Sequence, residues 1–272
     1  MKIIWKIIFI LMPSILFAQN KQFFYEYKYI GDSTNRESVE TEVMVLNINK
    51  EKSEFYSSDK FVSDSTLIAD SQKGILSMPP NKQMNNDRII KPINSKTINY
   101  ITLLSDTKYL VSQKMDLKWN LLQEFDKVLD YEVQKATVEF GGRKWIAWFS
   151  KDIPIQDGPY KFSNLPGLIL KIEDTGKNHI FELKGIRNSE VNFEYPDLNN
   201  FRVVKVTYPQ FVKAYNKYRK NPMADSVGTF VDFTDANGVF HPAAETFRKH
   251  EKIVLARIAK ENNIIELNLL KK

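Results

Sequence analysis

Residues 131–150 read YEVQKATVEFGGRKWIAWFS, and their pattern decides the fold. From Tyr131 to Phe140, Val133, Lys135, Thr137 and Glu139 alternate with Gln134, Ala136, Val138 and Phe140. A period of two puts successive side chains on opposite faces of an extended chain. Gly141-Gly142 supplies the positive-φ backbone of a tight hairpin. Lys144 to Ser150 then returns as a second strand. Trp145, Ala147 and Phe149 point one way, and Ile146 and Trp148 the other. Apolar side chains on both faces predict a strand covered on both sides, or a wall of an apolar cavity.

The same signal extends in both directions. Upstream, Phe23–Ile30, Val39–Ile48 and Ser53–Ser57 read as a three-stranded meander, punctuated by Gly31-Asp32-Ser33 and Asn49–Lys52. Asp59–Lys73 is predicted as a short helix from the spacing of Phe61, Leu67 and Ile68, and Ser77–Asn86 as a loop. Strands are expected at Thr97–Leu103, Lys108–Gln113 and Leu117–Leu122, the last carrying Trp119. Downstream, Leu168–Glu173 and Ile180–Ile186 form a hairpin across Asp174–Asn178, followed by Arg202–Thr207. Tyr208–Lys220 has helical spacing, a cap at Thr207, Pro209 in its first turn and a stop at Asn221-Pro222. His241–Asn263 is the longest helix expected, with Ile264–Leu267 as a closing strand. The prediction is α+β: a mainly antiparallel curved sheet resembling a half-barrel, with two or three helices toward the C-terminus.

Composition and the N-terminus bear on compartment. Met1–Ala18 reads MKIIWKIIFILMPSILFA, with Lys2 and Lys6 ahead of an apolar stretch and polar Gln19-Asn20-Lys21 after it. This is the three-part pattern of a secretory signal, and its uncharged run is shorter than the roughly 20 residues that span a bilayer. Cleavage would leave residues 19–272 as one exported, soluble domain, since no Pro-, Gly- or Ser-rich linker and no repeat divides them. The chain has no Cys, which excludes disulfides, thiolate metal sites and cysteine catalysis and suits a Gram-negative periplasm. Of the net charge of +6, the leader holds two lysines, leaving +4. The basic clusters Lys213-Lys217-Arg219-Lys220 and Arg248-Lys249-Lys252 read as solvated helix faces ahead of nucleic-acid or lipid-head-group binding, so no nucleic-acid partner is expected.

Searches for chemistry find little. There is no G-x-S-x-G, H-E-x-x-H, Walker A or G-x-G-x-x-G pattern. The three His, at 179, 241 and 250, are expected at the surface. Asp232–Gly238 (DFTDANG) has the look of a calcium loop, but its register would put Phe233 and Ala244 at ligand positions, so it reads as a hairpin turn. No enzyme, cofactor or metal centre is expected.

One segment carries a family resemblance. Trp148-Phe149-Ser150, Ile153-Pro154-Ile155, Asp157–Phe162 (DGPYKF) and Leu165–Leu170 (LPGLIL) together resemble the GLPGLI family of exported Bacteroidota-type proteins, with Asn164 in place of the first Gly of the naming hexapeptide. Asn262–Leu267 (NNIIEL) is similar to that family's C-terminal signature, with Ile264 where Pro is common. The resemblance implies an exported protein without an assigned biochemical activity. Pro154, Pro159 and Pro166 fix φ, while Gly158 and Gly167 open conformations closed to other residues. The crossover is thus stiff. It reads either as a clamp that fixes strand order or as a lip over an apolar groove.

Two functions follow. In the first, the protein carries an apolar or lipid-like ligand, in the manner of LolA-type carriers, whose fold class it resembles. Trp119, Trp145, Trp148 and Phe149 would line the site, with Pro154, Asp157, Gly158, Pro159 and the Leu165-Pro166-Gly167 turn as its gate. In the second, it is an accessory partner of an outer-membrane receptor or transporter, docked through a sheet edge.

Overall fold

The computed structural model describes residues 20–80, 84–189, 193–198 and 202–271, so residues 1–18, expected to be a secretory leader, lie outside the described residues. The elements are β1 (Asn20–Ile30), β2 (Val39–Ile48), β3 (Lys52–Ser57), α1 (Ser58–Gln72), β4 (Arg88–Pro92), β5 (Thr97–Leu104), β6 (Thr107–Lys114), β7 (Asn120–Val128), β8 (Tyr131–Phe140), β9 (Arg143–Ser150), β10 (Leu168–Asp174), β11 (His179–Ser189), β12 (Arg202–Thr207), α2 (Tyr208–Lys220), β13 (Phe233–Thr234), β14 (Phe240–His241) and α3 (Ala243–Lys260). Twelve strands form one curved sheet in the order β12-β6-β5-β4-β3-β2-β1-β11-β10-β9-β8-β7. Every pairing is antiparallel except β12 with β6. The two ends do not meet, so the sheet is open and the α+β reading holds.

Register explains the core. Val111 lies opposite Tyr100, Tyr100 opposite Ile89, Ile89 opposite Phe55, Phe55 opposite Leu46 and Leu46 opposite Phe23. A second row runs Tyr27, Phe181, Ile172, Ala147, Ala136. Opposite residues share a face, so these buried side chains form one continuous apolar surface across the sheet. Tyr27 stacks on Phe181 with ring centroids 4.1 Å apart. The other face carries Glu54, Tyr56, Arg88, Ile101, Leu103 and Lys108, and α1 lies on it, with Phe61 tilted against Tyr56 at 5.7 Å.

The hairpins at Gly141-Gly142 and Asp174–Asn178 stand where their turn residues place them. Helix α1 begins at the Ser57 cap, whose hydroxyl accepts from the Lys60 N–H. At α2 the Gln210 side chain accepts from the Thr207 N–H at 2.8 Å. Strand β4 was not foreseen, because RIIKP has charged flanks and a terminal Pro that mask two apolar residues. The strand expected at 117–122 begins at Asn120 and runs to Val128, leaving Trp119 just outside it. The strand expected at Ile264–Leu267 is absent. There the carbonyls of Ile264 and Ile265 accept from the Arg143 side chain instead of a neighbouring strand, and the chain tightens into a 3-10 turn at Leu267–Leu270.

Candidate functional site

The crossover between β9 and β10 does not arch over the sheet. It lies down on the apolar face and fills it. Tyr160, Phe162 and Leu165 are buried there. Phe162 contacts Trp145 at 4.8 Å and Phe140 at 5.4 Å between ring centroids. Its glycines are forced by packing. A Cβ on Gly167, at φ 157°, would stand 2.0 Å from the Ser150 carbonyl oxygen, and one on Gly158 would stand 2.8 Å from Ile169. Asn164 holds φ 71°, so it serves the left-handed position that Gly would otherwise fill.

Buried lysines pin this segment from two sides. Lys91 of β4 donates to the carbonyls of Gly158 at 2.7 Å and Tyr160 at 3.2 Å and pairs with Asp157. Lys161 of the crossover is fully enclosed. It donates to Glu266 Oε1 at 2.5 Å and to Gln113 Oε1 at 2.8 Å, with its ammonium 4.1 Å from the Tyr100 ring centroid. Tyr160 and Tyr208 hydroxyls donate to the two oxygens of Glu266 at 2.7 and 2.6 Å. Burial lowers the pKa of both lysines, against the pull of their carboxylates. Neither ammonium is open to a substrate, so the arrangement is a latch.

The C-terminal signature is the other half of that latch. Arg143, the first residue of β9 after the Gly141-Gly142 turn, donates to Asp174 Oδ2 at 3.0 Å, Asn263 Oδ1 at 2.6 Å and the Ile264 carbonyl at 2.8 Å. Asn263 donates to the Ile30 carbonyl at 2.7 Å. The Glu266 backbone passes so close to Gly141 that a Cβ there would sit 3.0 Å from its Cα. His179, expected at the surface, is instead enclosed in this network. Its Nε2 lies 2.7 Å from the Asn263 carbonyl and its Nδ1 2.7 Å from the Tyr27 hydroxyl. A carbonyl can only accept, so Nε2 carries the proton and the Tyr27 hydroxyl donates to Nδ1. Burial, then the nearby Arg143 cation, pushes the imidazole pKa down to about 4. The sequence signal was present: His179 closes the hairpin turn and is followed directly by an alternating apolar strand, a boundary position that packing can enclose.

The sequence-derived site residues therefore separate. Trp145, Phe149, Gly158, Pro159, Leu165 and Gly167 are buried in the core or crossover, and Pro154 and Pro166 are exposed at its bends. Trp119 is half-buried and donates from Nε1 to the Ser163 carbonyl at 2.8 Å. Trp148 is half-buried on the opposite face, with Lys135 Nζ 5.7 Å from its ring centroid. Asp157 is half-buried in its pair with Lys91.

A cavity of about 950 Å³ lies across the sheet, under α1. Leu67 and Ile68 of α1, Leu76 and Met78 after it, and Ile101 and Leu103 of β5 line its apolar part. Lys60, Arg88 and Lys108 stand in its wall with acidic neighbours: Lys60 pairs with Asp64, Arg88 with Glu54 at 3.0 Å and Lys108 with Asp197 at 2.6 Å. Ser63, only 7% exposed, lines it too, and its hydroxyl has no hydrogen-bond partner among the described residues. A buried hydroxyl left unpaired costs about 1–3 kcal/mol. Sequence reading found Phe61, Leu67 and Ile68 as one helical face but gave no sign of the hollow, whose far wall comes from residues 195–198. None of the three His lines it.

A family profile described as "Protein of unknown function (Porph_ging)" matches residues 141–171. That span runs from the Gly141 turn through Arg143 and the whole crossover, the part of the chain that meets the C-terminal signature. No curated protein matches the chain. Two solved structures of PNGF-II, in space groups P21 and C2, are similar to it with a TM-score of 0.51 each, at 15% and 14% identity. Each match covers 80% of this chain and 37% of the PNGF-II chain, and the likeness is one of fold. Among the described residues, no helix is long and apolar enough to cross a membrane.

Proposed function

We propose that the chain is an exported, non-enzymatic binding protein of the cell envelope whose ligand is an apolar, acyl-chain-like molecule held under α1. The cavity carries this reading. Its volume suits a small lipid-like ligand, and Leu, Ile, Met and Pro side chains make up half of its lining residues, beside the paired cations Lys60, Arg88 and Lys108. The reading moves the ligand away from the Trp145 and Phe149 face named by sequence, because the crossover occupies that face. The secretory pattern of residues 1–18 supports export to a periplasm. The hexapeptide at Asn164–Ile169 and the Asn262–Leu267 ending support membership of the GLPGLI family.

The test is displacement of a fluorescent polyunsaturated fatty acid. Wild-type protein should bind the probe and protect it from water. Leu67→Trp, which projects an indole into the cavity, should lose binding at least tenfold while keeping its melting temperature. Equal binding by both proteins would remove the reading.

A second reading, an accessory partner docked by strand addition, is favoured by one feature. Strand β7 is a sheet edge, and Leu121 and Phe125 on it are exposed. It predicts a complex with an outer-membrane protein that Phe125→Lys abolishes.

A further inference from the structure

We propose that α2, α3 and the hairpin between them form a docking surface for anionic lipid bilayers. The first observation is charge. Residues 208–260 hold nine Lys and Arg against five Asp and Glu, a surplus of +4 that equals the whole net charge of residues 19–272. The rest of that span is neutral overall. Helix α2 has four cations and no acid, and the cations of α3 include Arg248, Lys249, Lys252 and Arg257.

The second observation is apolar exposure beside that charge. Val231 is 71% exposed, Phe240 60%, Val239 52% and Phe233 45%, all at or beside the β13–β14 hairpin, and Ile253 of α3 is 59% exposed. These side chains are not stranded by disorder of the turn. Asp235 accepts from the N–H groups of Asn237 and Val239 at 2.9 Å, and Asp232 accepts from the Ala243 N–H at 2.7 Å, fixing the hairpin to the start of α3. Phe230 packs edge-on against Phe247 at 5.6 Å, which anchors the base. Helix α3 itself buries only Ile258. A solvated helix face accounts for the lysines alone. It does not account for valines and phenylalanines held out in water next to them.

A bilayer surface accepts both. Anionic head groups attract each nearby Lys or Arg, and aromatic and aliphatic side chains enter the boundary between head groups and acyl chains. Nucleic acid would use the cations and leave the aliphatic tip in water, so the bilayer is the occupant that fits. The proposal does not depend on the cavity under α1.

The experiment is co-sedimentation of the purified protein with vesicles of phosphatidylglycerol and phosphatidylcholine, against vesicles of phosphatidylcholine alone. Binding is expected to the anionic vesicles only, and to fall as salt rises. Lys249→Gln with Lys252→Gln should weaken it about tenfold or more. Phe233→Ser with Phe240→Ser should weaken it several-fold while leaving the melting temperature and fatty-acid probe binding unchanged, since both rings are exposed and far in sequence from the cavity wall. Absence of binding to anionic vesicles, equal binding to neutral ones, wild-type binding by both double variants, or tighter retention on duplex DNA than on vesicles would each overturn the proposal.

Discussion

The two faces of one sheet solve the burial problem in opposite ways. On the face of Phe23, Tyr100 and Trp145, the chain lays its own crossover into the curve and locks it with the Lys91 and Lys161 ammoniums, Glu266 and Arg143. On the face of Tyr56, Ile101 and Leu103, helix α1 spans the strands without filling the space beneath it, and Ser63 is left unpaired. The lesson concerns motifs. Residues dense in Gly, Pro and aromatics mark where backbone must fit tightly, and here they build a plug. The open space lies under a helix with no motif at all.

That contrast can be broken. The largest effect is expected at Gly167. Gly167→Ala drives a methyl against the Ser150 carbonyl, where backbone has no room to yield, and should cost more than ~4 kcal/mol or prevent folding, as soluble yield and denaturant titration would show. If instead the variant folds with wild-type stability, the crossover is not packed as described. Next comes the latch. Lys161→Met leaves Glu266 buried without its cation and should cost about 3–5 kcal/mol, read as a lower denaturation midpoint. A loss below ~1 kcal/mol would mean the segment is solvated, and the two faces would no longer differ.

The smallest effect is a pH dependence. In the folded chain the His179 imidazole stays neutral down to about pH 4, whereas unfolded it takes up a proton near its ordinary value of 6.5. Between those values the unfolded state binds more protons. Stability is therefore full above pH 6.5 and falls as pH drops toward 4, by about 3 kcal/mol at most. His179→Asn should flatten that part of the stability–pH curve. An unchanged slope would place His179 outside the network.

Much of this fold was legible because its signals are local. Alternation in Tyr131–Ser150, the Gly141-Gly142 turn and the Thr207–Pro209 helix start each act within a few residues. What escaped depends on distant partners. Ile264–Leu267 has a strand's composition, but the guanidinium of Arg143, more than a hundred residues away in sequence, takes its carbonyls. His179 resembles a surface turn residue until Asn263 and Tyr27 close over it. Trp119, Trp145 and Trp148 were read as lining a ligand site, but Trp119 and Trp148 are half-buried and Trp145 is enclosed. What packs against Trp145 is Phe162 of the same chain, and nothing in the spacing of the strand distinguishes that from a ligand.

The central claim is that apolar ligand enters under α1 and not on the crossover face. A fatty acid bearing a photoactivatable diazirine in its alkyl chain, irradiated with the protein and mapped by peptide mass spectrometry, tests it directly. Labels on residues 63–78 and 101–103 are the expected result, and labels concentrated around Trp145 and Phe162 would contradict it.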